Sequence, residues 1–193
     1  MATLLADCHL ADGLLLDVPC GYGRFGPLMA NLGITAVGAD ESHDMLQLVV
    51  ENHRQHYQGR WLCANIFDLP FADNTFDAVL CIRLFHHRYS TAERQQMLAE
   101  LARVSCRFVL LSFYRFAPLH VFLRHLRGTR GRLEILSFSR FQNLVQTSGL
   151  QILRVHPLLR FCHAQTFVVL KVENAVPRAR AASSTDAFQQ QKV

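Results

Sequence analysis

The sequence predicts a doubly wound α/β domain on a mostly parallel seven-stranded sheet, and three observations carry that expectation. Apolar runs and turn signals alternate in a strand-helix-strand rhythm along most of the 193 residues. Runs such as Phe108-Val-Leu-Leu-Ser-Phe113 are apolar almost throughout, as expected of strands covered by helices on both faces. The stretch Leu14-Leu-Leu-Asp-Val-Pro-Cys-Gly-Tyr-Gly-Arg-Phe-Gly26 reads as a buried strand running into a glycine turn that opens a helix, an arrangement that builds a nucleotide site.

In chain order, strands are expected at 13–18, 34–39, 60–65, 76–82, 106–113, 150–156 and 165–172. Helical periodicity occupies 23–32, 42–56, 91–103, 118–127 and 137–148. Ser42 and Thr91 have the side-chain chemistry of N-caps, and Gly33 and Gly149 stand where helices end. From about Glu173 the chain turns to Ala, Ser, Gln and Arg with few large apolar residues. Residues 1–172 are therefore expected to form one domain and 173–193 a disordered tail.

Half of the residues are hydrophobic, ample for a buried sheet. No apolar run reaches the roughly 18 residues of a membrane span and the start lacks a signal-peptide pattern, so a cytoplasmic protein is expected. Six cysteines, Cys8, Cys20, Cys63, Cys81, Cys106 and Cys162, show no C-x-x-C spacing and read as buried reduced thiols, with no metal site. The net charge of +5 is concentrated: residues 115–140 hold Arg115, Arg124, Arg127, Arg130, Arg132 and Arg140 against Glu134 alone.

Gly21, Gly23 and Gly26 fit the spacing G-x-G-x-x-G, which suits any ligand that backbone must approach closely. Asp17, four residues before Gly21, sharpens this. A carboxylate beside the turn would repel the pyrophosphate of NAD but suits the ammonium and sulfonium of S-adenosylmethionine (SAM). A SAM site is expected first and an NAD-dependent oxidoreductase second.

Together these residues resemble the class I SAM-dependent methyltransferases, in the branch called methyltransferase type 11, over about residues 13–113. The resemblance implies a Rossmann-like sheet whose last strand is antiparallel, and a SAM cofactor. The family's D-x-G-x-G-x-G appears as Asp17-Val-Pro-Cys-Gly-Tyr-Gly23, with Pro19 replacing the first glycine; Arg24 follows. Its acidic residue after the second strand is matched by Asp40, implied to accept hydrogen bonds from the ribose hydroxyls. Glu41 departs from the apolar residue common there, and Met45 is expected to cover the adenine.

The run Cys63-Ala-Asn-Ile-Phe-Asp-Leu-Pro-Phe-Ala-Asp-Asn-Thr-Phe-Asp77 is similar to the family's G-D-x-x-x-L-P-F-x-D-x-S-F-D. Asn65 would face the adenine amino group and Ile66 would offer its amide to the ring, while Asp68, Asp73 and Asp77 read as loop carboxylates. On the lip after strand four, His86 and His87 are the candidates for a catalytic base, and Arg83 could neutralise the cofactor carboxylate or an anionic acceptor.

After strand five, Leu119, Phe122, Leu123 and Leu126 share a helical face ringed by Arg124, Arg127, Arg130 and Arg132, a basic amphipathic element expected to bind the acceptor. The expected acceptor is a small or lipid-linked anion, with peripheral membrane contact open. A tRNA-modifying alternative arises because Ile82-Arg-Leu-Phe-His-His-Arg-Tyr-Ser-Thr-Ala-Glu-Arg94 is similar to the H-H-x-S-T-x-E-R region of wobble-uridine tRNA methyltransferases. Only about twelve residues precede strand one, whereas relatives carry N-terminal helices over the cofactor. A non-catalytic SAM-fold partner, or an oligomer or partner completing the lid, is the further expectation.

Overall fold

The computed structural model describes residues 4–5, 8–10, 13–57, 60–87, 89–115, 136–159 and 163–173. The expected helix over 118–127, Arg124, Arg127, Arg130, Arg132, Cys162 and nearly all of the expected tail lie outside the described residues.

Seven strands form one sheet: β1 (Leu14–Asp17), β2 (Thr35–Asp40), β3 (Trp61–Cys63), β4 (Phe76–Cys81), β5 (Ser105–Tyr114), β6 (Leu150–Leu159) and β7 (His163–Val172). Their spatial order is β3-β2-β1-β4-β5-β7-β6. The pairs among β1 to β5 are parallel, and β7 runs antiparallel to both β5 and β6, as the resemblance implied. Among the described residues the helices include α1 (Gly26–Asn31), α2 (His43–His53), α3 (Thr91–Val104) and α4 (Phe138–Thr147), with a short 3-10 turn at Arg54–His56 after α2.

The apolar strands have the two-sided burial that their composition demands. Successive side chains of a strand point to opposite faces. Leu16, Val37, Val79, Val109 and Leu111 thus join Met97, Leu98 and Leu101 of α3 and Phe141, Leu144 and Val145 of α4 in one core cluster. Leu15, Ala36, Ala78, Leu80 and Leu110 join Met29 of α1 and Leu46 and Val49 of α2 in the other. Phe141 of α4 stacks on Phe113 of β5, centroids 4.1 Å apart and planes within 9°, which docks the last helix against the sheet.

Element boundaries shift from expectation by a few residues, for identifiable reasons. Ser90, not Thr91, is the N-cap of α3: its hydroxyl accepts from the Glu93 amide while the Glu93 carboxylate accepts from the Ser90 amide, a complete capping box. Ser42 caps α2 as expected, accepting the Met45 amide at 3.3 Å. The first helix starts at Gly26, because residues 21–25 stay in turns. β3 stops at Cys63, since Asn65 folds back to bridge Asp68. Cys8, Cys20, Cys81 and Cys106 are buried, but Cys63 is exposed, because it ends the short edge strand β3. Among the described residues no helix is long and apolar enough to cross a membrane.

Candidate active site

β1 lies between β2 and β4, so the strand order reverses at its carboxyl end, and an open sheet leaves a ligand crevice outside such a reversal. Asp17 ends β1, Asp40 ends β2, and Asn65 and Arg83 follow β3 and β4, so the topology brings the expected residues to one rim.

The glycine loop is held by protein, not poised as a phosphate cradle. Gly21 has φ +54°, a left-handed conformation that glycine adopts without steric cost. Its amide donates to the Asp40 carboxylate (Oδ2, 2.8 Å), whose other oxygen accepts from the Ser42 amide (2.9 Å). The Gly23 amide donates to the Cys20 carbonyl and the Gly26 amide to the Gly23 carbonyl. Anion cradles use free N–H groups. All three glycine amides here are engaged, which argues against a dinucleotide phosphate at this turn. On the outer side of Gly21 a methyl group would meet nothing within 4 Å, so the loop faces open space.

Asp40 is nearly buried, and each of its oxygens keeps a second lone pair beyond its loop amide. Glu41 and Met45 are exposed beside it, and Arg24 lies exposed over the Phe25 ring. Pro19 is partly buried after a cis Val18–Pro19 bond. Asn65 is exposed, with its Oδ1 accepting the Phe67 amide at 2.9 Å, while Ile66 is buried.

Asp17 is fully buried beneath the loop, not on the crevice wall. Its Oδ2 accepts the Tyr57 hydroxyl at 2.7 Å, and its Oδ1 is buried with no hydrogen-bond partner. Burial pushes the carboxyl up to about 7; the Tyr57 hydrogen bond opposes that rise, the Asp40 charge adds to it and the Arg24 charge offsets it.

The structure separates the two histidines that sequence left equivalent. His87 is exposed, whereas His86 is buried between the rings of Tyr114 (4.5 Å) and His87 (4.8 Å), its Nδ1 without a partner. Burial, reinforced by His87 and Arg83, lowers the His86 pKa to about 4, so its ring is neutral across the physiological range. Buried Arg94 of α3 donates from Nη2 to the His87 carbonyl at 2.9 Å and pins this lip. Arg83 is exposed at φ +66°, costly for a residue with a Cβ, while its amide donates to Ser112 Oγ at 2.9 Å.

Two of the three expected loop carboxylates, Asp73 and Asp77, have structural duties. Asp73 pairs with Arg103 at 2.8 Å, and the same guanidinium binds Glu100 and the Phe71 and Leu69 carbonyls, fastening the loop before β4. Asp77, expected in a loop, lies instead within β4, where its carboxylate accepts the Leu14 amide at 2.9 Å, and Asp68 bridges Asn65 through its backbone. Among the described residues no group of three or more His, Cys, Asp or Glu could hold a metal ion. Sequence reasoning missed Tyr57, Arg94 and Arg103, each of which acts through a partner distant in the chain or a backbone carbonyl.

Residues 15–106 match a family model described as a methyltransferase domain. An uncharacterized protein of Methanocaldococcus jannaschii is 41% identical over 76 residues, 39% of this chain and 30% of that protein. A human protein named "Probable tRNA methyltransferase 9B" is 31% identical over 91 residues, 47% of this chain and 18% of that protein. The chain thus spans less than a third of the length of either relative. Among solved structures, the magnesium protoporphyrin IX methyltransferase of Synechocystis with bound S-adenosylhomocysteine superposes with TM-score 0.73 at 23% identity, over 88% of this chain and 78% of that one.

Proposed function

We propose that this chain, whose residues 15–106 match a methyltransferase-domain family, is a class I SAM-dependent methyltransferase that binds SAM at the rim of β1, β2 and β4 and transfers its methyl group to an anionic acceptor. The observation that carries this reading is the Asp40 carboxylate clamping Gly21 at the point where strand order reverses. The residues present fit the cofactor. Gly21 faces open space, Asp40 retains lone pairs for ribose hydroxyls, and Asp17 places a buried carboxyl with an unpartnered oxygen under the loop. Asn65 and Ile66 would meet the adenine edge, with Met45 and Glu41 beside it.

Bound SAM supplies a methyl group already activated on a sulfonium. The chain's own task is positioning, charge complementarity and removal of the acceptor's proton. His87, exposed on the lip against the buried His86 ring, is the group we assign to take that proton. Arg83, exposed on the lip, and Arg124, Arg127, Arg130 and Arg132 would meet the acceptor's negative charge. An RNA acceptor is the second reading, favoured by the similarity of residues 82–94 to tRNA methyltransferases and by the human relative.

Calorimetric titration with SAM and NAD tests the cofactor: SAM should bind and NAD should not, and the reverse outcome would discard the reading. Transfer of a labelled methyl group into acidic small-molecule, lipid and RNA fractions then identifies the acceptor class. Reversing the charge of the four arginines at 124, 127, 130 and 132 should leave SAM affinity intact and impair turnover. The loss should shrink as salt rises, because exposed charges are screened beyond roughly 8 Å at physiological ionic strength. A quadruple variant with full turnover at all salt concentrations would remove these arginines from the acceptor site.

A further inference from the structure

Tyr57 belongs to none of the nucleotide-site motifs, yet the glycine loop rests on it. The residue follows the 3-10 turn after α2 and is fully buried. A methyl group built on Gly23, Gly26 or Gly38 would come within 3.1, 2.8 and 3.3 Å of the Tyr57 ring. Those glycines therefore leave the space that the ring fills, and the fit carries the hydroxyl to Asp17 at 2.7 Å.

We propose that Tyr57 is a positioning residue for the cofactor: its hydroxyl holds the Asp17 carboxylate in its ionised form beneath the glycine loop, and SAM affinity follows that ionised form. This rests on the reading of the crevice as a SAM site. Burying a carboxylate with one unpartnered oxygen is unfavourable unless a cation compensates it. SAM brings two positive groups to the loop above. The groups that act on Asp17 are Tyr57 after α2, Asp40 of β2 and Arg24 in the loop, and Asp17 in turn acts on the thiols of Cys20 and of Cys81 in β4. Both thiols are pushed far up by burial and stay neutral, so Arg24 and the Tyr57 hydroxyl are what favour the charged form.

The sign follows from Asp17 lying near 7. Cation binding favours its ionised form, so SAM affinity should rise as pH climbs through neutrality. The Tyr57 hydrogen bond lowers the Asp17 pKa, so its removal moves that rise to higher pH.

SAM dissociation constants measured by calorimetry between roughly pH 5.5 and 8.5 on the full chain, Tyr57→Phe and Asp17→Asn test this. The free cofactor's amino group titrates identically in all three measurements, so differences between the profiles report the bound state. Tyr57→Phe, which keeps the ring on the glycines, should shift the midpoint upward by about one pH unit, a tenfold change in proton affinity. Asp17→Asn should flatten the difference entirely. A Tyr57→Phe profile that overlays the wild type, or an Asp17→Asn protein that keeps the wild-type slope, overturns the proposal. If Tyr57→Phe fails to fold by circular dichroism, the Asp17→Asn profile decides alone. Wild-type protein that binds no SAM at any pH would instead overturn the cofactor reading, and this inference with it.

Discussion

Gly21→Val should weaken SAM binding by about 100-fold or more while leaving the protein folded. The substitution forces a β-branched residue to φ +54°, at about 1–3 kcal/mol of backbone strain. In a domain of this size each kcal/mol lowers the melting temperature by roughly 2–4 °C, so a folded but less stable protein is expected. The added methyl groups clash with nothing in the chain, because a Cβ at Gly21 has no neighbour within 4 Å. They occupy instead the open space proposed for the ligand, and the dissociation constant should rise on the order of 100-fold or more, about 2.7 kcal/mol. Gly33→Val is the matched control. Gly33 has φ +67° and equally open surroundings, but it follows α1 and precedes β2, at the opposite end of that strand from Asp40. It should carry the same strain and bind SAM normally; equal losses in both variants would trace the effect to stability and displace the ligand from Gly21.

Asp40→Ala should raise the SAM dissociation constant roughly 5- to 150-fold, the equivalent of about 1–3 kcal/mol. Two effects combine. The ribose hydroxyls lose a charged acceptor, and the Gly21 and Ser42 amides lose the carboxylate that fixes the loop against the end of β2. Asp40→Asn keeps one acceptor oxygen and should fall between alanine and wild type. An unchanged constant for the alanine variant in calorimetry would exclude Asp40 from the cofactor site.

Local pattern in the sequence was enough for the sheet and most helices, because strand burial and helix periodicity are written in neighbouring residues. The apolar run at 108–113 could only be a strand covered on both faces, and it lies inside β5 (Ser105–Tyr114). The cap of α3 was displaced by one residue because Ser90 and Thr91 carry equivalent hydroxyls, and only backbone geometry and the reach of Glu93 select Ser90. Asp40 was legible from its spacing after the glycine turn, but the second task of its carboxylate, holding Gly21, needed the distance. Tyr57 was illegible for a simple reason: Asp17 is forty residues earlier in the chain, and nothing local to either residue marks the partnership. The two histidines differ only in burial, which depends on the packing of Tyr114 and on Arg94 gripping the lip.

The place of β7 sets an order on the making of this protein. β7 (His163–Val172) is the last strand in sequence among the described residues, yet it lies inside the sheet, hydrogen-bonded to β5 on one side and β6 on the other. The parallel half, with both halves of the candidate cofactor crevice, can assemble from earlier residues as they leave the ribosome. Until residues near 172 emerge, however, β5 presents a bare hydrogen-bonding edge and β6 has no strand to receive it. A chain that ends before β7 would therefore hold a nearly complete ligand-binding part beside an open strand edge, and an open edge is a template for pairing with another chain.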